Sequence, residues 1–138
     1  MKKIVLISCV KSKADHAAKA RDLYTSLWFR LALRYAEMIK PDEVFVLSAK
    51  YGLLNLDVVV EPYEKTLKTM PMHEIESWAA KVVGQLRACA DLERDHFIFL
   101  ASDEYRKYIV PHVRSFEVPM QGLAIGKQRQ FLKRQVGA

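Results

Sequence analysis

The stretch IVLISCVKSKADHAAKARDLYTS, residues 4–26, decides the fold. Its first four residues, Ile4, Val5, Leu6 and Ile7, read as a buried strand, and the apolar run ends abruptly at the polar, lysine-bearing loop Ser8-Cys9-Val10-Lys11-Ser12-Lys13. A helical segment opening Ala20-Arg21-Asp22-Leu23-Tyr24 follows. Strand, charged loop and helix form the layout of an α/β site, because loops leaving the carboxyl ends of parallel strands collect on one edge beside helix amino termini whose free N–H groups favour anions.

The same pattern returns twice. Val44 to Leu47 ends in Ser48-Ala49-Lys50-Tyr51-Gly52, and Phe97 to Leu100 ends in Ala101-Ser102-Asp103-Glu104-Tyr105. Three apolar runs that each turn polar at a serine predict one shared polar edge. The expected fold is therefore a single three-layer α/β domain over residues 1–138, with a central, mainly parallel sheet.

Between these strands, Leu23, Tyr24, Leu27, Trp28, Leu31, Tyr35 and Met38 follow helical spacing and predict a helix over Ala18–Ile39, stopped by Pro41 and Asp42. Gly52 fits a tight turn needing positive φ. Asp57–Tyr63, with Val58-Val59-Val60 before Pro62, reads as an extended or edge segment. A second amphipathic helix runs from Met72 to Ala90 behind Pro71. Ser102 is placed to cap the next helix, and Asp103 and Glu104 suit its positive end. Phe116-Glu117-Val118 is a candidate fourth strand, and Leu123–Val136 a basic terminal helix.

At 138 residues, 51% hydrophobic and 28% charged, the chain has a one-domain length and an ordinary globular composition. No apolar run approaches the roughly 20 residues of a membrane span, and the first strand lacks the flanks of a signal peptide, so a cytoplasmic protein is expected, with no membrane partner. Cys9 and Cys89 have no metal spacing and are expected to be reduced; His16, His73, His96 and His112 are scattered, so neither a metal nor a cofactor is expected. The net charge of +6 favours polyanionic partners: DNA, RNA or a nucleotide.

Gly122-Leu-Ala-Ile-Gly126-Lys127-Gln128 superficially suggests a phosphate loop, but its spacer is one residue short and Gln128 stands where magnesium needs a hydroxyl, which excludes that type of ATPase. Lys11 and Lys13, on a strand-to-helix loop, suit phosphate. Cys9 beside them is a conceivable nucleophile, the plain alternative being a small core residue. Asp22 and Ser26, four apart on the predicted helix, share a face with Tyr24 turned away. There Asp22 either caps and pairs with Arg21 or serves as a carboxylate that positions water or steadies positive charge on a sugar.

The runs S-C-x-K-x-K, A-R-D-L-Y-x-S-x-x-F (Ala20 to Phe29), L-S-A-K-Y-G-L (Leu47 to Leu53), P-Y (Pro62, Tyr63) and G-x-x-I-G-K-Q (Gly122 to Gln128) resemble a family of small bacterial and phage proteins of unknown function. That family is distantly similar to the peroxide-stress YaaA proteins, with which Leu100 to Tyr105 agrees. It is also similar to the lysine-transferring domain of archaeosine synthases, whose motif is echoed by Cys9 to Ser26. These resemblances imply DNA or modified-base biology and a uracil-DNA-glycosylase-like core.

The expected function is a nucleic-acid- or nucleotide-directed enzyme acting at a base or its N-glycosidic bond. Asp22, Cys9 and Lys50 are its expected catalytic residues; Ser8, Lys11, Lys13, Tyr24, Ser26, Ser48, Tyr51 and Tyr63 are expected to bind substrate, with Tyr51 or Tyr63 stacking the base. The competing expectation is a non-catalytic DNA- or RNA-binding module of stress response or phage defence, docking through Lys127, Arg129, Lys133 and Arg134.

Overall fold

A computed structural model describes residues 1–137. In chain order the elements are β1 (Lys3–Ser8), β2 (Ala18–Lys19), α1 (Ala20–Leu23), α2 (Leu27–Met38), β3 (Glu43–Ser48), β4 (Gly52–Asn55), β5 (Val59–Val60), α3 (Met72–Arg87), β6 (His96–Leu100), α4 (Asp103–Arg106), β7 (Ser115–Glu117) and α5 (Ile125–Val136). Short 3₁₀ turns cover Leu67–Thr69 and Val110–His112.

β1 is the central strand of a five-stranded sheet ordered β4-β3-β1-β6-β7. Its neighbours β3 and β6 run parallel to it, as β7 does to β6, while β4 folds back antiparallel on β3. Ile4, Val5, Leu6 and Ile7 are all fully buried, which a strand achieves only when both faces of its sheet are covered. The cover follows from handedness. The connection β1-α2-β3 moves one way across the sheet and β3-α3-β6 moves the other, so right-handed crossovers put α2 and α3 on opposite faces. α5 lies with α2: the Trp28 indole N–H donates to Gln128 Oε1 at 2.8 Å, and the Tyr35 and Phe131 rings meet edge to face at 5.7 Å. The result is the three-layer α/β arrangement with a mainly parallel central sheet.

Strand order reverses between β1 and β6, and in sheets of this type the crevice outside the carboxyl ends at such a point is where ligands bind. Among the described residues no helix is long and apolar enough to cross a membrane.

The predicted helix over Ala18–Ile39 is broken. Ala18–Lys19 instead pairs antiparallel with Val59–Val60 in a separate two-stranded ribbon, and α1 ends at Leu23. Residues 12–14 draw the chain out of the helix: Ala14 N–H donates to Leu23 O at 2.8 Å, Thr25 N–H donates to Ser12 O at 3.0 Å, and Lys13 bridges Tyr24. Helical spacing persists across the break because Leu23, Tyr24, Trp28 and Leu31 all face the same core. The other differences are smaller. α3 ends at Arg87 rather than Ala90, β7 begins at Ser115 and α5 at Ile125. Ser102 occupies the position before α4 but makes no side-chain cap; the Glu104 carboxyl is held below its ordinary value first by its own backbone N–H and, against the cost of burial, also by the nearby Ser102.

Candidate functional site

β1 ends in Ser8 and Cys9, and the Cys9 N–H continues the sheet by donating to Leu47 O at 3.0 Å. This anchors the sulfur at the carboxyl end of the central strand, beside the crevice. Across that crevice α4 supplies Tyr105, and the Cys9 thiol donates to its hydroxyl at 3.3 Å. The Leu67 N–H donates to the same oxygen at 3.4 Å.

A second hydroxyl chain lies alongside. Ser48, the last residue of β3, accepts at Oγ from the N–H groups of Lys50 (3.2 Å) and Tyr51 (3.0 Å) and donates to the Tyr63 hydroxyl at 2.8 Å. Tyr63 in turn meets the Tyr24 hydroxyl at 2.6 Å. Three hydroxyl protons serve two links, so one phenol proton of the Tyr24–Tyr63 pair is left uncommitted. The Trp78 indole donates to Ser48 O at 2.8 Å and holds the strand end in place.

The electrostatics follow from burial. Desolvation, above all, pushes the hydroxyls of Tyr24, Tyr63 and Tyr105 far above the ordinary phenol value, so all three are neutral donors at physiological pH. Lys13 is half-buried with Nζ 4.4 Å above the centre of the Tyr63 ring and 5.7 Å from that of Tyr24. Burial lowers its pKa, against the opposing pull of Cys9 and Glu64. Cys9 acts electrostatically on Lys13, Tyr24, Tyr63 and Tyr105 alike, which puts it at the hub of the cluster. Cys9 and Tyr63 each retain only 8% of their surface, and the half-buried Lys13 and Tyr51 form the outer edge of the cluster.

The structure brings together Cys9, Lys13, Tyr24, Ser48, Tyr51 and Tyr63 from the residues expected by sequence, with Lys50 at the margin: its Nζ stands 5.2 Å from the Tyr51 ring centre, and Tyr51 meets Tyr63 edge to face at 5.6 Å. Lys13 turns inward and Lys11 outward, Nζ of the former donating to the backbone oxygen of the latter at 3.4 Å. Ser8 is buried at the end of β1.

Two expectations about the first helix need correction. Asp22 and Ser26 do not share a helix face, since the chain is extended at Tyr24 and Ser26 starts a new helix, its Oγ accepting from Phe29 N–H at 3.1 Å. Ser26 is therefore a helix cap, and Asp22 stands on α1 without a hydrogen bond or ion pair from its side chain among the described residues. Nor is Tyr24 turned away; it is at the centre of the cluster. Tyr63 is buried under Lys13, whereas the Tyr51 ring is half-open with Lys50 beside it.

Sequence reasoning misses Tyr105 and Trp78 as site residues. Tyr105 has a signal: it follows Ser102 by three residues at the third apolar-to-polar switch. Trp78 sits on an ordinary amphipathic helix and has none. α4 also divides the rim. Tyr105 faces Cys9, while Asp103 and Arg106, on another side, line a separate cavity of about 250 Å³ with Ser102, Met120, Leu123 and Gln128. Arg106 spans its wall, donating to Ala101 O at 2.8 Å. Gln128 is engaged on both sides, accepting from Trp28 and donating to Leu123 O at 2.8 Å, so the glycine-containing run before α5 serves helix packing. Among the described residues no group of three or more His, Cys, Asp or Glu is placed to hold a metal ion.

The family model described as "Family of unknown function (DUF6884)" matches residues 4–134. No curated protein and no solved structure matches this chain.

Proposed function

Because the chain belongs to this family of unknown function, its activity must be read from its site, and we propose a nucleic-acid- or nucleotide-directed enzyme acting at a base or its N-glycosidic bond. The observation that carries this reading is the donor surplus around Cys9. Three hydroxyl protons serve the two links among Ser48, Tyr63 and Tyr24, which leaves one phenol proton of the Tyr24–Tyr63 pair for a ligand, and the Lys13 ammonium stands over the same two rings. A donor-rich, acceptor-poor cluster is complementary to a ligand that presents acceptors, as the carbonyl oxygens and ring nitrogens of a base do.

The chemistry follows from that complementarity. A hydrogen bond to an acceptor of the base stabilises negative charge that develops there as a glycosidic bond breaks or as a nucleophile adds to the ring. Neutral tyrosines with strongly raised pKa values serve as such donors and do not act as bases. Cys9 is the candidate nucleophile, Lys13 the cation beside it, and Tyr51 the stacking platform. The likeness of the motifs to YaaA proteins and to the archaeosine synthase domain, with the glycosylase-like core it implies, points the same way. Two free cysteines suit a reducing compartment, which supports a cytoplasmic protein.

The test is direct. Purified protein is incubated with DNA and RNA carrying deaminated or otherwise modified bases and with free nucleosides, and released base or altered nucleoside is measured by mass. Activity should be lost in Cys9→Ala and fall about 10²-fold or more in Tyr63→Phe. A wild-type protein that leaves every substrate unchanged, or a Cys9→Ala variant as active as the parent, refutes the reading.

A further inference from the structure

Helices α2 and α5 carry six exposed cations, Arg30, Arg34, Lys127, Arg129, Lys133 and Arg134, against one carboxylate, Glu37. That surplus of five accounts for nearly all of the chain's net +6, so the positive charge is concentrated on one layer of the molecule. Glu37 does not neutralise it, since the cation it faces is Arg21 at 3.8 Å, outside the layer. Among the described residues none of the six cations comes within 4 Å of a carboxylate.

The two helices form one surface. Both begin beyond the carboxyl ends of strands and run back along the same face, joined near their starts by Trp28–Gln128 and further on by Tyr35–Phe131. Arg30 and Arg34 are four residues apart and share the solvent stripe of α2; Lys127 and Arg134 are seven apart on one flank of α5, with Arg129 and Lys133 on the other. Holding this many like charges together with no carboxylate within 4 Å of any of them costs self-repulsion, which a packed helix layer has no need to accept for stability alone.

We infer that the α2–α5 layer is a docking surface for the phosphodiester backbone of a nucleic acid. Four of the six cations are arginines, whose planar forks match phosphate oxygens in pairs, and a polyanion with regularly repeated charge complements a two-helix array better than a single phosphate does. Because the amino ends of both helices lie at the rim that holds Cys9, a strand lying along them would reach the site. The inference goes beyond the proposed function by choosing a polymer over a free nucleotide, and its evidence lies on a different surface.

Fluorescence anisotropy of the full chain with labelled duplex DNA, single-stranded DNA and RNA, from low to moderate salt, tests it. Binding to any of the three should weaken with salt. The variant Arg30→Ala/Arg34→Ala/Lys127→Ala/Arg134→Ala should bind about tenfold or more weakly, and its salt slope should be shallower by roughly 0.9 for each duplex phosphate it no longer neutralises, or 0.7 on a single strand. The same four positions changed to the other basic residue should retain the slope, which separates charge from misfolding. Failure of all three polymers to bind at low salt overturns the inference, as does undiminished binding by the alanine variant, or capture by anionic phosphatidylserine vesicles in preference to every nucleic acid. Polymer binding is read without turnover, so a chain that binds nucleic acid but alters no substrate sinks the enzymatic reading alone, and one that alters free nucleosides but binds no polymer sinks this one alone.

Discussion

The sulfur of Cys9 and the hydroxyl of Tyr105, 96 residues apart in sequence, meet at 3.3 Å across the point where strand order reverses. The bond joins the end of β1 to the first turn after β6, so it reports directly on whether the two halves of the sheet are in register. Tyr105→Phe leaves the thiol and the Leu67 N–H without their acceptor in a buried place. It should lower unfolding free energy by about 1–2 kcal/mol in urea titrations. An unchanged midpoint would show that this bond contributes nothing.

Tyr63 stands between Ser48 and Tyr24, and its removal breaks two links where removal of Tyr24 breaks one. Tyr63→Phe should therefore destabilise more than Tyr24→Phe. The double variant should cost less than the two single losses added together, with a coupling of about 0.5–3 kcal/mol. Strict additivity in a double-mutant cycle would mean that the 2.6 Å link carries no coupling energy.

Burial pushes the hydroxyls of Tyr24, Tyr63 and Tyr105 above the ordinary phenol value, while in the unfolded chain each ionises near pH 10. The sign is that of a raised acid: the folded state holds protons which the unfolded state releases, so stability falls as pH rises beyond about 10. Phenolate absorbance should accordingly show these three rings silent in the native protein and titrating together on alkaline unfolding. Replacing any one with Phe should leave the native titration amplitude unchanged, and a reduced native amplitude would contradict the assignment.

Lys13 has its pKa lowered by burial, so it sheds its proton at lower pH than an unfolded lysine. Between the two values the unfolded chain binds more protons, and stability contributed at this site rises with pH. Binding of an anion that needs the ammonium should run the opposite way and weaken as pH climbs through the lowered value. Lys13→Met should abolish that limb in phosphate or nucleotide titrations, and an identical pH profile in the variant would remove Lys13 from the binding role.

Gly52 opens β4 at φ 78°, and a Cβ there would run into Gln85 Oε1, which accepts from Leu53 N–H at 2.8 Å. Gly52→Ala should cost about 1–3 kcal/mol. Adding Gln85→Ala relieves the clash but not the dihedral strain, so only part of the loss should return. Full recovery in thermal unfolding would place the whole cost in the side chain.

Much of this architecture is legible along the chain, for reasons that differ by element. β1, β3 and β6 are apolar runs that turn polar at or just after a serine, and a local pattern of that kind survives any tertiary setting. The continuous helix over Ala18–Ile39 is a misreading because helical spacing tells which residues face the core and not whether the backbone between them is continuous. Tyr24 faces the core from an extended residue as well as it would from a helix. Pairing with residues 12–14 joins separate segments, and it leaves no periodic mark.

The site divides the same way. Cys9, Lys13, Ser48 and Tyr63 can be picked out because chemistry-bearing residues at strand exits are collected on one edge by parallel connections. Asp22 and Ser26 enter only through a shared helix face that the break after Leu23 removes. Tyr105 and Trp78 escape because their roles depend on which side of a helix meets the crevice.

Local spacing and composition by themselves determined the strand ends, the α/β class and the overall positive charge, since each depends on residues adjacent in sequence or on simple counts. Only the tertiary structure decided that Tyr24 points inward, that Ser26 caps, that Tyr105 completes the Cys9 cluster and that the charge gathers on α2 and α5. Those outcomes depend on crossover handedness and on hydrogen bonds between distant segments, which a one-dimensional pattern does not encode.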